Sequence, residues 1–406
     1  MTAPAPPSAL FLPQIESLRG IAALTVAYAH CGLILVLSGD GPVTVPNAFL
    51  GRFLLEPLDL VANARAAVVV FFVVSGLVLA LALDRTVPRG RIRAVPAFLA
   101  RRALRLYPAH IAALLLFVPL ASATVYRLPV LDPSRLASPL LDGWFSARLY
   151  PEIDWNLFAR TLALAANSYN PVVWTLFVEL VGALCLPVFA ALSRPGRLAI
   201  DLPALAILAG LGVAVDAPGL LAFADIYLPA FYLGCMARTH GRRWAAAARR
   251  RLPYGALLGL CFVLLVLPEA KVGPQVAHDF ILLGMALASF GLVSLLAWGT
   301  SPATERVMLH PWARFLGRVS YSFYLWHSLL LLAFVRILLA ILPTSFLVPW
   351  DQFIKAATFA VTTLATLAVA SLSYRWIERP FLALGRNLTG RRLPAATARA
   401  EEATAP

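Results

Sequence analysis

The chain has 406 residues, of which 60% are hydrophobic and 13% charged, with a formal net charge of +14. Soluble globular domains carry about 25% charged residues, so the composition excludes a water-soluble enzyme and any solvated basic face for nucleic acid. The basic residues fall in short clusters between apolar runs, the distribution by which a multispanning membrane protein fixes its orientation.

Apolar runs of about 20 residues, each able to cross a bilayer, lie at 17–38, 64–83, 104–123, 172–192, 198–215, 219–237, 253–268, 278–298, 318–342 and 354–376. They predict an all-α membrane bundle of about ten transmembrane helices, embedded in the lipid bilayer. The expected organisation is a short N-terminal segment 1–16, a membrane domain 17–380 and a disordered tail 381–406. The opening Met-Thr-Ala-Pro-Ala-Pro-Pro lacks the basic region of a signal peptide, so the first span is expected to stay in the protein. Every second gap is rich in arginine, including Arg85, Arg101, Arg102, Arg105, Arg238, Arg314 and Arg379. That alternation predicts both termini on the cytoplasmic side and the gap 124–171 outside, where Trp144, Tyr150 and Trp155 either meet an acceptor or line an ordinary loop.

The first span carries Arg19 and His30, eleven positions apart. That is close to three turns, so both side chains face one way, ~16 Å apart along the axis. Lipid offers an ionisable group no partner, so both are expected to face the protein interior or a wet cavity. The alternatives are an arginine reaching the interface and a histidine satisfied in the core. In the second span Ser75-Gly76 permits close helix approach. At the cytoplasmic mouth of the third, Arg101 and Arg105 share a face with Arg102 nearby, and Tyr107 follows. Such a cluster either sets topology or grips a phosphate with its guanidinium forks.

Trp174-Thr175 opens the fourth span, with Glu179 ~12 Å below the outer surface. His30 lies ~18 Å above the inner surface of a ~30 Å core, so the two depths match and predict a His30–Glu179 pair. Ser320-Tyr321-Ser-Phe-Tyr324-Leu-Trp-His327 begins the ninth span, and Tyr374-Arg375-Trp-Ile-Glu378-Arg379-Pro380 ends the tenth as a charge-paired interfacial turn. Cys31, Cys185, Cys235 and Cys261 show neither disulfide nor metal-ligand spacing, so no metal site is expected.

Arg19 with His30, Phe71-Phe-Val-Val-Ser75-Gly76, Arg101-Arg102-Ala-Leu-Arg105-Leu-Tyr107-Pro108, Trp174-Thr175-Leu with Glu179, Ser320-Tyr321 with Tyr324 and His327, and Ile377-Glu378-Arg379-Pro380 occur in this order. Together they resemble the acyltransferase-3 family of integral membrane O-acyltransferases, from Arg19 to Pro380. The family commonly has Ser where this chain has Thr175, which keeps the hydroxyl. The resemblance implies a multi-pass protein of the bacterial cytoplasmic (inner) membrane. It would move an acyl group, commonly acetyl, from cytoplasmic acyl-coenzyme A to a hydroxyl of a cell-envelope glycan, glycolipid or natural product. No tightly bound cofactor is implied.

On that reading His30 is the general base or acyl carrier, oriented by Glu179, with His327 the rival. Arg19, Arg101, Arg102, Arg105, Ser75 and Tyr107 serve the donor, and Trp174, Thr175, Tyr321 and Tyr324 serve the acceptor or support the catalytic groups. An oligomer stays open. The competing reading is a transporter or flippase of a polar envelope precursor, using the buried His and Glu as a proton relay. It leaves the arginine cluster unexplained, and no pair of broken helices supports it.

Overall fold

In the computed structural model the described residues are 12–34, 45–86, 94–129, 131, 152–214, 219–266, 275–299 and 301–387. Among them there is no strand. Ten helices of 13 to 31 residues among the described residues carry the fold: α1 (Pro13–Ile34), α2 (Ala64–Thr86), α3 (Val95–Ala123), α4 (Val173–Leu192), α5 (Leu198–Ala214), α6 (Leu221–Thr239), α7 (Tyr254–Val266), α8 (Gln275–Trp298), α9 (Pro311–Ile341) and α10 (Asp351–Ser373). Each expected apolar run overlaps one of them over its described residues. Six helical stretches are long and apolar enough to cross a membrane, namely Pro46–Arg85, Val95–Arg127, Val173–Leu192, Phe280–Trp298, Pro311–Ile341 and Ser345–Asn387. Leu198–Gly212 and Tyr254–Val266 are apolar but shorter. The tail beyond Asn387, most of the 1–16 segment and the outer-gap aromatics Trp144 and Tyr150 lie outside the described residues.

α2 shows why lipid selects helices. Its Val68-Val-Val-Phe-Phe-Val-Val run is rich in β-branched and aromatic residues that favour strands in water. In hydrocarbon each backbone N–H and C=O needs a partner within its own segment, and a helix supplies it. α2 packs against α1, α4, α6 and α8, so Val69, Phe72, Val73, Val74 and Leu77 are all buried.

Two glycine crossings set the depth of the helices. A Cβ on Gly20 of α1 would stand 2.5 Å from the backbone N of Gly317 in α9. A Cβ on Gly76 of α2 would run into the Phe231 carbonyl of α6, beside Gly234. Small residues let membrane helices approach this closely. Gly20 follows Arg19 and Gly76 follows Ser75, so both crossings fix the height of a polar side chain.

Other polar groups tie the helices together. Asp201, fully buried in α5, accepts from Tyr232 Oη at 2.5 Å and lies 2.6 Å from His240 Nε2. A buried carboxylate needs such partners, and these fasten α5 to α6. Part of the 124–171 gap folds as the short helix Trp155–Leu162, capped by Asp154 and held to α3 where His110 Nε2 lies 3.1 Å from the Thr161 carbonyl.

Candidate functional site

α3 begins at Val95, well before the predicted 104. Hydropathy ends the span at the arginines. The helix instead carries them inward, so Arg102 is a body residue, 7% exposed. It pairs with the Glu179 carboxylate of α4, whose Oε1 also accepts from Ser75 Oγ of α2 at 3.1 Å. The predicted His30–Glu179 pair is therefore replaced by Arg102–Glu179–Ser75. The physical reason is that a guanidinium neutralises a carboxylate in a low-dielectric interior, which a neutral imidazole does not. Ser75 takes a polar role while neighbouring Gly76 takes the packing role.

His30 turns to α9. Its Nδ1 lies 3.0 Å from His327 Nε2, with the rings stacked at 5.1 Å and 22°. His327 is 2% exposed, and its Nδ1 stands 2.7 Å from the Tyr324 carbonyl. A carbonyl only accepts, so His327 Nδ1 donates. In the neutral pair His327 Nε2 then has the lone pair and accepts from His30 Nδ1–H. That leaves the lone pair of His30 on Nε2, the tautomer a general base requires.

A cavity of about 40 Å³ lies among α1, α2, α4 and α9, and neither histidine lines it. Arg19, Ser75, Thr175, Glu179, Tyr321 and Tyr324 line it together with Phe71, Phe72 and Ser320. Tyr324 also touches His327, ring to ring, at 5.4 Å. Six of the predicted site residues thus share one cavity. Tyr321 is anchored by donating from its hydroxyl to the Leu106 carbonyl at 2.5 Å. Thr175 is likewise held, donating to the Val172 carbonyl at 2.8 Å.

At the arginine end, Arg19 feels the charges of Arg105, Glu378 and Glu16. Arg102 Nε is buried with no hydrogen-bond partner among the described residues. Arg101 lies off this cavity, its stem against Gly385 of the helix Arg379–Asn387. Tyr107 packs at the edge of the core and does not line the cavity either. Trp174 forms an aromatic cluster with Phe223 at 4.7 Å and Tyr227 at 5.4 Å.

Two groups outside the predicted site belong to it by position. Glu378, read as an interfacial turn residue, is 3% exposed, accepts from Ser322 Oγ at 3.1 Å and faces the charges of Arg105 and Arg19. The π-helical turn Tyr374–Glu378 turns it inward. Asn170, fully buried, donates to the Leu325 carbonyl at 3.0 Å and accepts from Ser328 Oγ at 2.8 Å, bracing α9 on both sides of His327. Its only signal in the sequence is an amide just before an apolar run.

Among the described residues no group of His, Cys, Asp and Glu could hold a metal ion. The free cysteines stand apart, Cys31, Cys235 and Cys261 being buried. No curated protein and no solved structure matches the chain. A family model described as an acyltransferase domain matches residues 12–375, which contain the histidine pair, the Arg102–Glu179 pair and every residue lining the cavity. The chain belongs to the acyltransferase-3 family and is a multi-pass membrane acyltransferase.

Proposed function

We propose that the protein transfers a short acyl group, acetyl being the best fit, from acyl-coenzyme A to an acceptor hydroxyl of a cell-envelope glycan, glycolipid or natural product. The observation that carries this is the Tyr324 carbonyl–His327–His30 chain, which sets the basic nitrogen of His30 at Nε2, while Tyr324, ring to ring with His327, itself lines a small cavity beside Arg19. At about 40 Å³ the cavity has room for roughly three waters, a size suited to a short acyl chain.

In the reaction, His30 Nε2 takes the proton of the acceptor hydroxyl while its oxygen attacks the thioester carbonyl. The tetrahedral intermediate collapses with cleavage of the C–S bond, and the thiolate leaves with the proton returned by His30. The alternative order, with Nε2 itself acylated first, uses the same lone pair. His327 holds the tautomer. Glu179 acts by fixing Arg102 and Ser75 rather than by orienting His30. Arg19, Arg105 and the open Nε–H of Arg102 offer charge and donors to the phosphates of coenzyme A.

We assign the arginine-rich ends of the helices, and both termini, to the cytoplasm of a bacterial inner membrane, where acyl-coenzyme A is made. The test is acetyl-coenzyme A binding and slow hydrolysis by the purified protein in lipid nanodiscs, without acceptor. Wild-type protein that binds and hydrolyses the thioester, with His30→Ala losing hydrolysis alone, supports the reading. A protein that neither binds nor cleaves the thioester is not an acyl-coenzyme A enzyme, and a transporter role would then replace it.

A further inference from the structure

A second and larger cavity, about 360 Å³, lies between α5, α6 and α8 and is backed by Val69 of α2. An apolar cavity of about 150 Å³ already accepts benzene, so this one takes a much longer hydrocarbon. Apart from the Tyr227 hydroxyl, every side chain lining it is apolar. Its hollow comes from α5, which presents Ala209 and Gly210, and a Cβ added at Gly210 meets no atom within 4 Å. Protein interiors rarely leave such space empty. The flanking Ile207 and Phe280 are 63% and 65% exposed, so the opening faces the bilayer.

Position links this cavity to the reaction site. Val69 precedes Ser75 by six residues on α2, ~9 Å along the helix and away from the arginine end. The shared wall is aromatic: Tyr227 lies 5.1 Å from Phe72, which lines the reaction cavity, and 5.4 Å from Trp174, the neighbour of Thr175. A chain seated here would bring a headgroup to Thr175 and Tyr324 from the side opposite the arginines. The donor's own acyl chain is not the occupant, because the donor enters by the arginine end, where the cavity is small.

We propose that the cavity holds the hydrocarbon chain of a lipid-borne acceptor, so that the hydroxyl to be acylated arrives from within the bilayer. This rests on the acyl-transfer reading above and narrows its acceptor to a lipid-linked one.

The test is photolabelling of the full chain in nanodiscs with dodecyl glucoside carrying a diazirine at the chain end. Saturable labelling of α5 and α8, competed by unlabelled dodecyl glucoside but not by methyl glucoside, is expected. Gly210→Trp, which fills the hollow, should lower that labelling by about tenfold or more. It should equally lower transfer of radiolabelled acetyl from acetyl-coenzyme A into solvent-extractable lipid of the host membrane. Ile207→Trp, on the outward face, should change neither. Unsaturable labelling spread over all lipid-facing helices means annular lipid only, and overturns the proposal. So does unchanged labelling in a Gly210→Trp protein that unfolds at the wild-type temperature, or radiolabel found only in water-soluble material. Saturable labelling with no cleavage of acetyl-coenzyme A would instead overturn the acyl-transfer reading.

Discussion

His30 Nδ1 and His327 Nε2 lie 3.0 Å apart, joining two helices nearly three hundred residues distant in the chain. Because the Tyr324 carbonyl accepts the proton of His327 Nδ1 at 2.7 Å, the order of donors along the pair is set from one end. A base whose tautomer is fixed this way spends no free energy finding it during turnover.

The first prediction follows from that order. His30→Ala removes the base and should lower acetyl transfer by ~10²–10⁴-fold with donor binding preserved. His327→Gln keeps an acceptor for His30 Nδ1–H and should retain more turnover than His327→Ala. Rates measured on folded, monodisperse protein decide it. A His30→Ala enzyme keeping more than about a tenth of wild-type turnover would transfer the base role to His327.

Much of this site is legible in the sequence, because ionisable residues are so rare in apolar runs that each one stands out. Arg19, His30, Glu179 and His327 are all visible that way. Their partners are not. Matching depths along separate helices predict His30–Glu179, but depth says nothing of rotation between helices, and Arg102 competes for the carboxylate more strongly. Arg102 itself reads as a residue of the membrane mouth because hydropathy averages do not distinguish the start of a helix from the start of its apolar part. Glu378 misleads for a similar reason: a polar sequence at a helix end reads as interfacial, whereas a π-helical turn carries the side chain inward.

The second prediction concerns the buried ion pair. Glu179→Gln leaves the Arg102 guanidinium buried beside a neutral amide, at a cost of ~3–5 kcal/mol. The thermal unfolding midpoint should fall clearly. The double variant Arg102→Met with Glu179→Leu should recover most of the stability, since it removes both charges together, and still be inactive. Wild-type thermal stability in Glu179→Gln alone would contradict the pairing.

The glycine crossing beside Ser75 yields the third. A Cβ on Gly76 meets a backbone carbonyl that cannot swing aside, so Gly76→Ala should destabilise by ~1–3 kcal/mol and displace Ser75 from Glu179. Gly255→Ala is the control, since nothing lies within 4 Å of its Cβ. Equal unfolding temperatures for the two variants would show that α2 and α6 do not cross at Gly76.

The last prediction separates phosphate binding from topology among the arginines. Arg105 acts on the charge of Arg19, which lines the candidate cavity, and Glu378 offsets both. Glu378 and Glu16 offset this repulsion within the chain, and a donor phosphate would offset it further. Arg105→Lys keeps the positive charge that the orientation rule counts, yet loses the planar fork that matches a phosphate. If the arginine binds donor phosphate, Arg105→Lys should insert in the wild-type orientation and bind coenzyme A more weakly. Arg105→Gln should weaken binding further, by ~1.5–3 kcal/mol, because it removes a charge-assisted hydrogen bond to the phosphate. Calorimetric titration with coenzyme A measures both, and protease accessibility of a C-terminal tag reports orientation. Unchanged affinity in both variants, with orientation intact, would leave Arg105 a topology determinant alone and move the donor site to Arg19 and Arg102.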